Sequence, residues 1–132
     1  MTAYVRVSLG GESYGVDVAH VRGVAELDTV VAVPGAGPHV AGISHLQGEI
    51  LPIVRISDLL RAPQGEPRQI VVVQDGERRA GLAVDAAEQV EELPEPTALD
   101  EPLTHGAILH DGRTIGIVDV PALLDAVSAS VL

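Results

Sequence analysis

Five histidines, His20, His39, His45, His105 and His110, are the only strong nitrogen ligands in a 132-residue chain that contains no cysteine. No two of them fall in an H-x-x-x-H arrangement with a nearby carboxylate, the spacing that presents two imidazoles to one zinc ion. Pro34-Gly35-Ala36-Gly37-Pro38 is glycine-rich, but it lacks the Lys-Ser/Thr ending that grips phosphate, and its prolines remove backbone donors. Ser44-His45 and Ser57 have no G-x-S-x-G setting to expose a nucleophile; they read as turn and capping residues. The acidic run Glu88, Glu91, Glu92, Glu95, Asp100 and Glu101 does not follow the D-x-[DN]-x-[DN]-G spacing of a calcium loop and reads as a solvated face. No catalytic constellation, metal site or cofactor site is expected, which leaves recognition as the function of the chain.

The bulk composition agrees. A formal charge of -11, from 19 acidic and 8 basic residues, disfavours nucleic acid and anionic membrane surfaces. Charge, Pro or Gly interrupts every apolar run short of the roughly 20 residues a bilayer span requires, so no membrane insertion is expected. Without cysteine nothing calls for an oxidising compartment, and a cytoplasmic location is the default. Valine occurs 20 times, there is no Phe or Trp, and Tyr4 and Tyr14 are the only aromatics. Branched side chains suit half-buried strands, so the core should be aliphatic and mainly β.

The chain also matches itself. Residues 4–16, YVRVSLGGESYGV, align without gaps on residues 70–82, IVVVQDGERRAGL, at an offset of 66. At the same offset Gly15–Leu27 matches Gly81–Leu93, and at an offset of 64 GEILPIVRISDLL from Gly48 matches GRTIGIVDVPALL from Gly112. Three collinear matches define repeats at 4–60 and 70–124, joined by a Pro- and Gly-rich linker at 61–67, within one domain spanning 1–132.

Gly10-Gly11, Asp75-Gly76 and Asp111-Gly112 are hairpin dipeptides. They predict strand pairs Ala3–Leu9 with Ser13–His20, Arg68–Gln74 with Arg78–Val84, and Ala107–Leu109 with Thr114–Val118. Ser57 is positioned to cap a short helix through Leu60, and Pro121 to sit in the first turn of a terminal helix carrying Leu123, Leu124 and Val127. Glu91–Pro102, acidic with three prolines, is expected to be an exposed loop. Two units of about 60 residues, each needing closure to hide its sheet edges, predict two small barrels packed together.

From Tyr14 to Leu60 the chain reads YGVDVAHVRGV, then VPGAGPHVAGISHLQGEILPIVRISDLL. This segment resembles the CheW-like coupling proteins of bacterial chemosensory systems through Y-G-[VI]-D-[VI], V-P and G-[IV]-x-x-L-x-G-x-[IV]-[LV]-P-[IV]-V in order. The resemblance resumes over IVVVQDGERRAGLAVDAAEQVEEL and GRTIGIVDVPALL. It implies two intertwined five-stranded barrels of the SH3-like type, with short helices and a C-terminal helix. It also implies a cytoplasmic, non-catalytic adaptor linking a chemoreceptor's cytoplasmic tip to the regulatory domain of a CheA-type histidine kinase.

By the same mapping Val21, Gly23, Val24 and Gln47 fall in or near a receptor groove, faced by Gly81 from the second unit, and Leu27, Val30 and Val31 at a kinase contact. In the family the L-x-G loop usually reads N-L-R-G, and its Arg pairs with a Glu; here those positions are Gln47 and Gly23, so both partners of the ion pair are absent together. Removing both charges spares the fold the cost of stranding one, but it puts the usual receptor engagement in doubt and points to an accessory variant. Arg55 likewise replaces the usual Asp after P-[IV]-V, a place that Asp119 holds in the second copy. The rival reading is a small-ligand or metal sensor using the groove between the barrels; a regulatory module cut from a larger kinase is a third.

Overall fold

The computed structural model describes the backbone of residues 1–131 and the side chains of residues 1–127. The described chain folds into ten strands: β1 (Thr2–Leu9), β2 (Glu12–Asp17), β3 (Val21–Glu26), β4 (Val40–Leu46), β5 (Glu49–Val54), β6 (Gln69–Asp75), β7 (Arg78–Val84), β8 (Ala86–Leu93), β9 (Thr104–His110) and β10 (Arg113–Val118). Two helices, α1 (Ile56–Leu60) and α2 (Val120–Val131), follow β5 and β10.

The strands form two five-stranded sheets, ordered β8-β1-β2-β10-β9 and β3-β6-β7-β5-β4. Exchanging each strand for the one five places along the chain converts one order into the other. In both, two antiparallel hairpins flank one parallel pairing, of β10 with β2 or of β5 with β7. Each sheet therefore takes a hairpin from one half of the chain and three strands from the other. The two barrels are therefore intertwined, as the resemblance implied: the second sheet is continuous from Val21 to Val84, whereas the first is split between β1–β2 and β8–β10.

Both sheets are of the SH3-like barrel type, and hairpin tips bring their edges together. Gln47, between β4 and β5, lies against Gly23 of β3, and His110, at the end of β9, reaches Glu91 of β8 at 3.1 Å. Alternation along the strands fills three cores. Val5, Val7 and Leu9 of β1 meet Val71 and Val73 of β6, Leu82 and Val84 of β7, and Leu123, Leu124 and Val127 of α2 between the barrels. Tyr4, Leu93, Ile108, Ile115 and Ile117 fill the split barrel, and Leu51, Ile53, Ile70, Val72 and Ala83 the continuous one.

Several local expectations change. β2 stops at Asp17, because its carboxylate accepts the Ala19 N–H at 2.9 Å and caps a 3-10 turn over Val18–His20. Ser57 lies inside α1; the cap position is Arg55, which makes no side-chain capping bond. The cap of α2 is Asp119, whose carboxylate accepts from Ala122 N–H at 3.1 Å. Glu91–Leu93 belongs to β8 and pairs with Thr2–Tyr4, so only the residues after Leu93 form the acidic loop. The loop of the β6–β7 hairpin is Gly76-Glu77, with positive φ at Gly76 only, as a type II′ turn requires. Within residues 61–67 Ala62 is buried and the others are exposed; Gly65 lies against the Asp85 carboxylate, which accepts the Gly10 N–H at 2.8 Å.

Candidate functional site

β3 and β8 are the edge strands beside β6 and β1, and each carries a bulge or register shift. In β3 the shift places Val21 opposite Val73 and Val24 opposite Val71, three residues apart yet on one face. In β8 Ala87 faces Val7 and Val90 faces Val5. All four partners belong to the core between the barrels, and residues directly opposite in an antiparallel pair share a face, so these side chains point toward the inter-barrel space. Val21 and Ala87 pack on that core, while Val24 is 45 % and Val90 60 % exposed. The start of β8 also reaches β6, Ala87 N–H donating to Gln69 Oε1 at 2.7 Å, and Gln69 pairs with Glu26 at the end of β3. The end of β3 and the start of β8 are thus linked through Gln69, and each of these edge strands carries one exposed valine, Val24 and Val90.

Gly23 and Gln47 meet on the other face of β3 from Val21 and Val24. Gly23 pairs with Val72 and so faces the interior side of the continuous barrel; a methyl group built on it would lie 2.6 Å from Gln47 Nε2. Gln47 and Gly48, at φ 51° and 79°, form the two-residue turn that aims the amide there. No side-chain hydrogen bond of Gln47 occurs among the described residues, so its amide keeps both donor and acceptor capacity. Gly81 lies elsewhere: it is buried in β7, and a methyl on it would meet Ile70 Cγ2 at 2.7 Å and Ile53 Cδ1 at 2.8 Å, inside the continuous barrel. The offset of 66 pairs Val21 and Val24 with Ala87 and Val90 of β8, whose partners likewise belong to the core between the barrels and which the sequence reading missed.

Leu27, Val30 and Val31 divide. Leu27 and Val30 are half-buried lids on the core of the continuous barrel. Val31 is 57 % exposed and bridges Ile43 through two 2.9 Å backbone bonds. With Leu46 and Ile50 it lines an open depression of about 640 Å³ at the end of that barrel, a larger apolar face than the three predicted residues define.

The histidines stay apart. His20 Nδ1 lies 3.2 Å from the Gln74 carbonyl, His105 3.6 Å from Asp119, and His45 is exposed. Among the described residues no group of three or more metal-binding side chains converges, and no helix is long and apolar enough to cross a membrane. The polar cluster best built into the fold is Arg6 with Glu91 and His110. Arg6, only 8 % exposed, donates to Glu91 Oε1 at 2.8 Å, while its Nε is buried without a partner. A hydrogen bond from Gln89, followed by the charge and hydrogen bond of Arg6, holds the Glu91 carboxyl below its ordinary range. These groups lie at the end of the split barrel, where Arg6 replaces a core side chain.

The two barrels are joined by a shared core, and their edge strands β3 and β8 carry exposed valines. Residues 3–128 match the family model of the CheW-like domain, and the chain belongs to that family. It is 30 % identical to the chemotaxis protein CheW of Klebsiella aerogenes, over 90 % of this chain and 79 % of that protein. It is 24 % identical to the chemotaxis protein CheW of Bacillus subtilis, over 92 % and 85 %. The scaffolding protein TtCheW of Thermoanaerobacter tengcongensis superposes with a TM-score of 0.75 at 26 % identity, over 89 % of this chain and 83 % of that one.

Proposed function

We propose that the chain is a non-catalytic adaptor of a chemosensory pathway, working in the cytoplasm and joining a chemoreceptor tip to the regulatory domain of a CheA-type histidine kinase. The observation that supports this reading is the pair of exposed valines, Val24 on β3 and Val90 on β8, whose strand partners belong to the core between the barrels; a monomer gains nothing by exposing them, and we take the space between these two strands, floored by Val21 and Ala87, as the receptor groove. A receptor segment with a complementary apolar ridge fits this groove, and Gln47 beside Gly23 offers it an uncharged hydrogen-bonding contact. The kinase contact is assigned to the Val31, Ile43 and Ile50 face at the end of the continuous barrel. The rival metal or small-ligand reading finds no donor set in the groove, whose walls are valine and alanine.

Gel filtration and calorimetry with a receptor-tip fragment and a kinase regulatory domain test the assignment. Val24→Asp and Val90→Asp are expected to weaken the receptor complex at least tenfold and to leave the kinase complex intact, with Val31→Asp doing the reverse. The adaptor reading fails if the unaltered chain binds neither partner at tens of micromolar. Binding to the kinase alone would assign it as an accessory protein without a receptor.

A further inference from the structure

A cavity of about 690 Å³ lies away from both surfaces above, where α1 ends beside β2, β9 and β10. Its volume is in the range of small-ligand sites. Tyr14 contributes to its floor, packed so closely over Gly116 that a methyl there would meet the ring at 2.9 Å. Leu60, Leu99 and Pro102 add apolar walls, and Arg61 and Arg113 line it.

Those two arginines stand out in the charge inventory. Six of the eight basic residues, Arg6, Arg22, Arg55, Arg68, Arg78 and Arg79, engage an acceptor within the chain. Among the described residues Arg61 and Arg113 have no side-chain hydrogen bond or ion pair, in a protein with 19 carboxylates, and both line the same cavity. Arg61 also occupies the left-handed C-cap of α1 at φ 56°, a position glycine normally takes because a Cβ is penalised there. A strained backbone that keeps an unpaired guanidinium at a cavity mouth marks a side chain retained for something other than stability.

We propose that this cavity binds a carboxylate carried on an apolar body, the two guanidinia taking the carboxylate and Tyr14, Leu60 and Leu99 the body. Guanidinium forks match carboxylates in geometry and charge. Two acids share the lining, Glu12 and Glu101. Glu12 is engaged by the Tyr14 hydroxyl, which donates to it at 3.0 Å. Glu101, exposed in the lining, offsets with Glu12 the charge of the two arginines and so favours one or two carboxylates over more highly charged anions. The carboxylate can belong to a free organic acid or to an acidic side chain on a peptide.

Amide chemical shifts of the full chain titrated with isophthalate, with neutral isophthalamide and with acetyl-Glu-Leu-Glu-amide test this. The expected result is saturable shifts at Gly11, Thr104, Gly106, Thr114 and Gly116 with one or both acids and none with isophthalamide; the tighter acid identifies the source. Arg61→Gly and Arg113→Gln should each weaken binding about tenfold, and Arg61→Gly should leave thermal stability unchanged or raised, which separates loss of binding from loss of fold. Saturation by isophthalamide equal to the acids, absence of saturable shifts with either acid, or undiminished binding in both variants would overturn the proposal.

Discussion

At the scale of single residues, burial decides what a position can do. Gly81 was placed at the groove by resemblance, but its missing side chain points at Ile53 and Ile70. Gly81→Ala should therefore act by overpacking, costing about 1–3 kcal/mol in urea unfolding, with no change in which partner is bound once the protein is folded. Arg6 and Glu91 act as a unit. Glu91→Ala leaves a buried guanidinium without its carboxylate, so its Tm should fall further than that of the Arg6→Leu/Glu91→Leu pair. The pH dependence follows the same pair. Because the Glu91 pKa in the fold lies below the ordinary 4.5, its stabilisation is present above that value and is lost as pH falls through the folded pKa. Urea midpoints measured from neutral pH down to pH 3 should accordingly fall less steeply in Glu91→Gln.

Elements were legible where a local rule was strong and obscure where tertiary partners set the outcome. Alternating valines and glycine dipeptides located the central strands β1, β2, β6, β7 and β10 to within a few residues. β8 was hidden because Glu88, Gln89, Glu91 and Glu92 read as a solvated stretch, and only β1 supplies the ladder that makes them a strand. The same blindness concealed half of the groove, since Val90 gains its meaning from facing Val5. Gln47 shows a different limit: its type marked the loss of an ion pair, but not its left-handed φ or its contact with Gly23. In that turn Gln47→Asn should raise stability by up to about 1 kcal/mol, because asparagine tolerates positive φ better. The shorter side chain would also withdraw the amide from Gly23, so calorimetry should show weaker receptor binding despite the more stable fold.

For the whole molecule, the repeat boundary is not a boundary of the cores. A cut between Pro63 and Gln64 separates β5 from β7 and β2 from β10, breaking the parallel pairing in both sheets. Neither fragment should unfold cooperatively alone, and circular dichroism of the equimolar mixture should recover the β signal of the intact chain. Gly23 and Gln47 are themselves uncharged and add no ion pair that salt could screen. The Gly23→Glu/Gln47→Arg pair should introduce salt dependence, read as a change in receptor affinity between low and high ionic strength.

The unequal continuity of the two barrels gives the molecule a direction in time. A ribosome releasing this chain delivers every strand of the continuous barrel once Val84 has emerged, but β1 and β2 appear first and must wait for β8, β9 and β10. Until then Val5, Val7 and Leu9 have only the half-made molecule to cover them. A nascent chain stalled just past Val84 should thus hold a formed second sheet with the first hairpin docked on it, and the groove between β3 and β8 should be among the last features to exist. Recognition through the β3 and β8 edges would be available only to a finished chain.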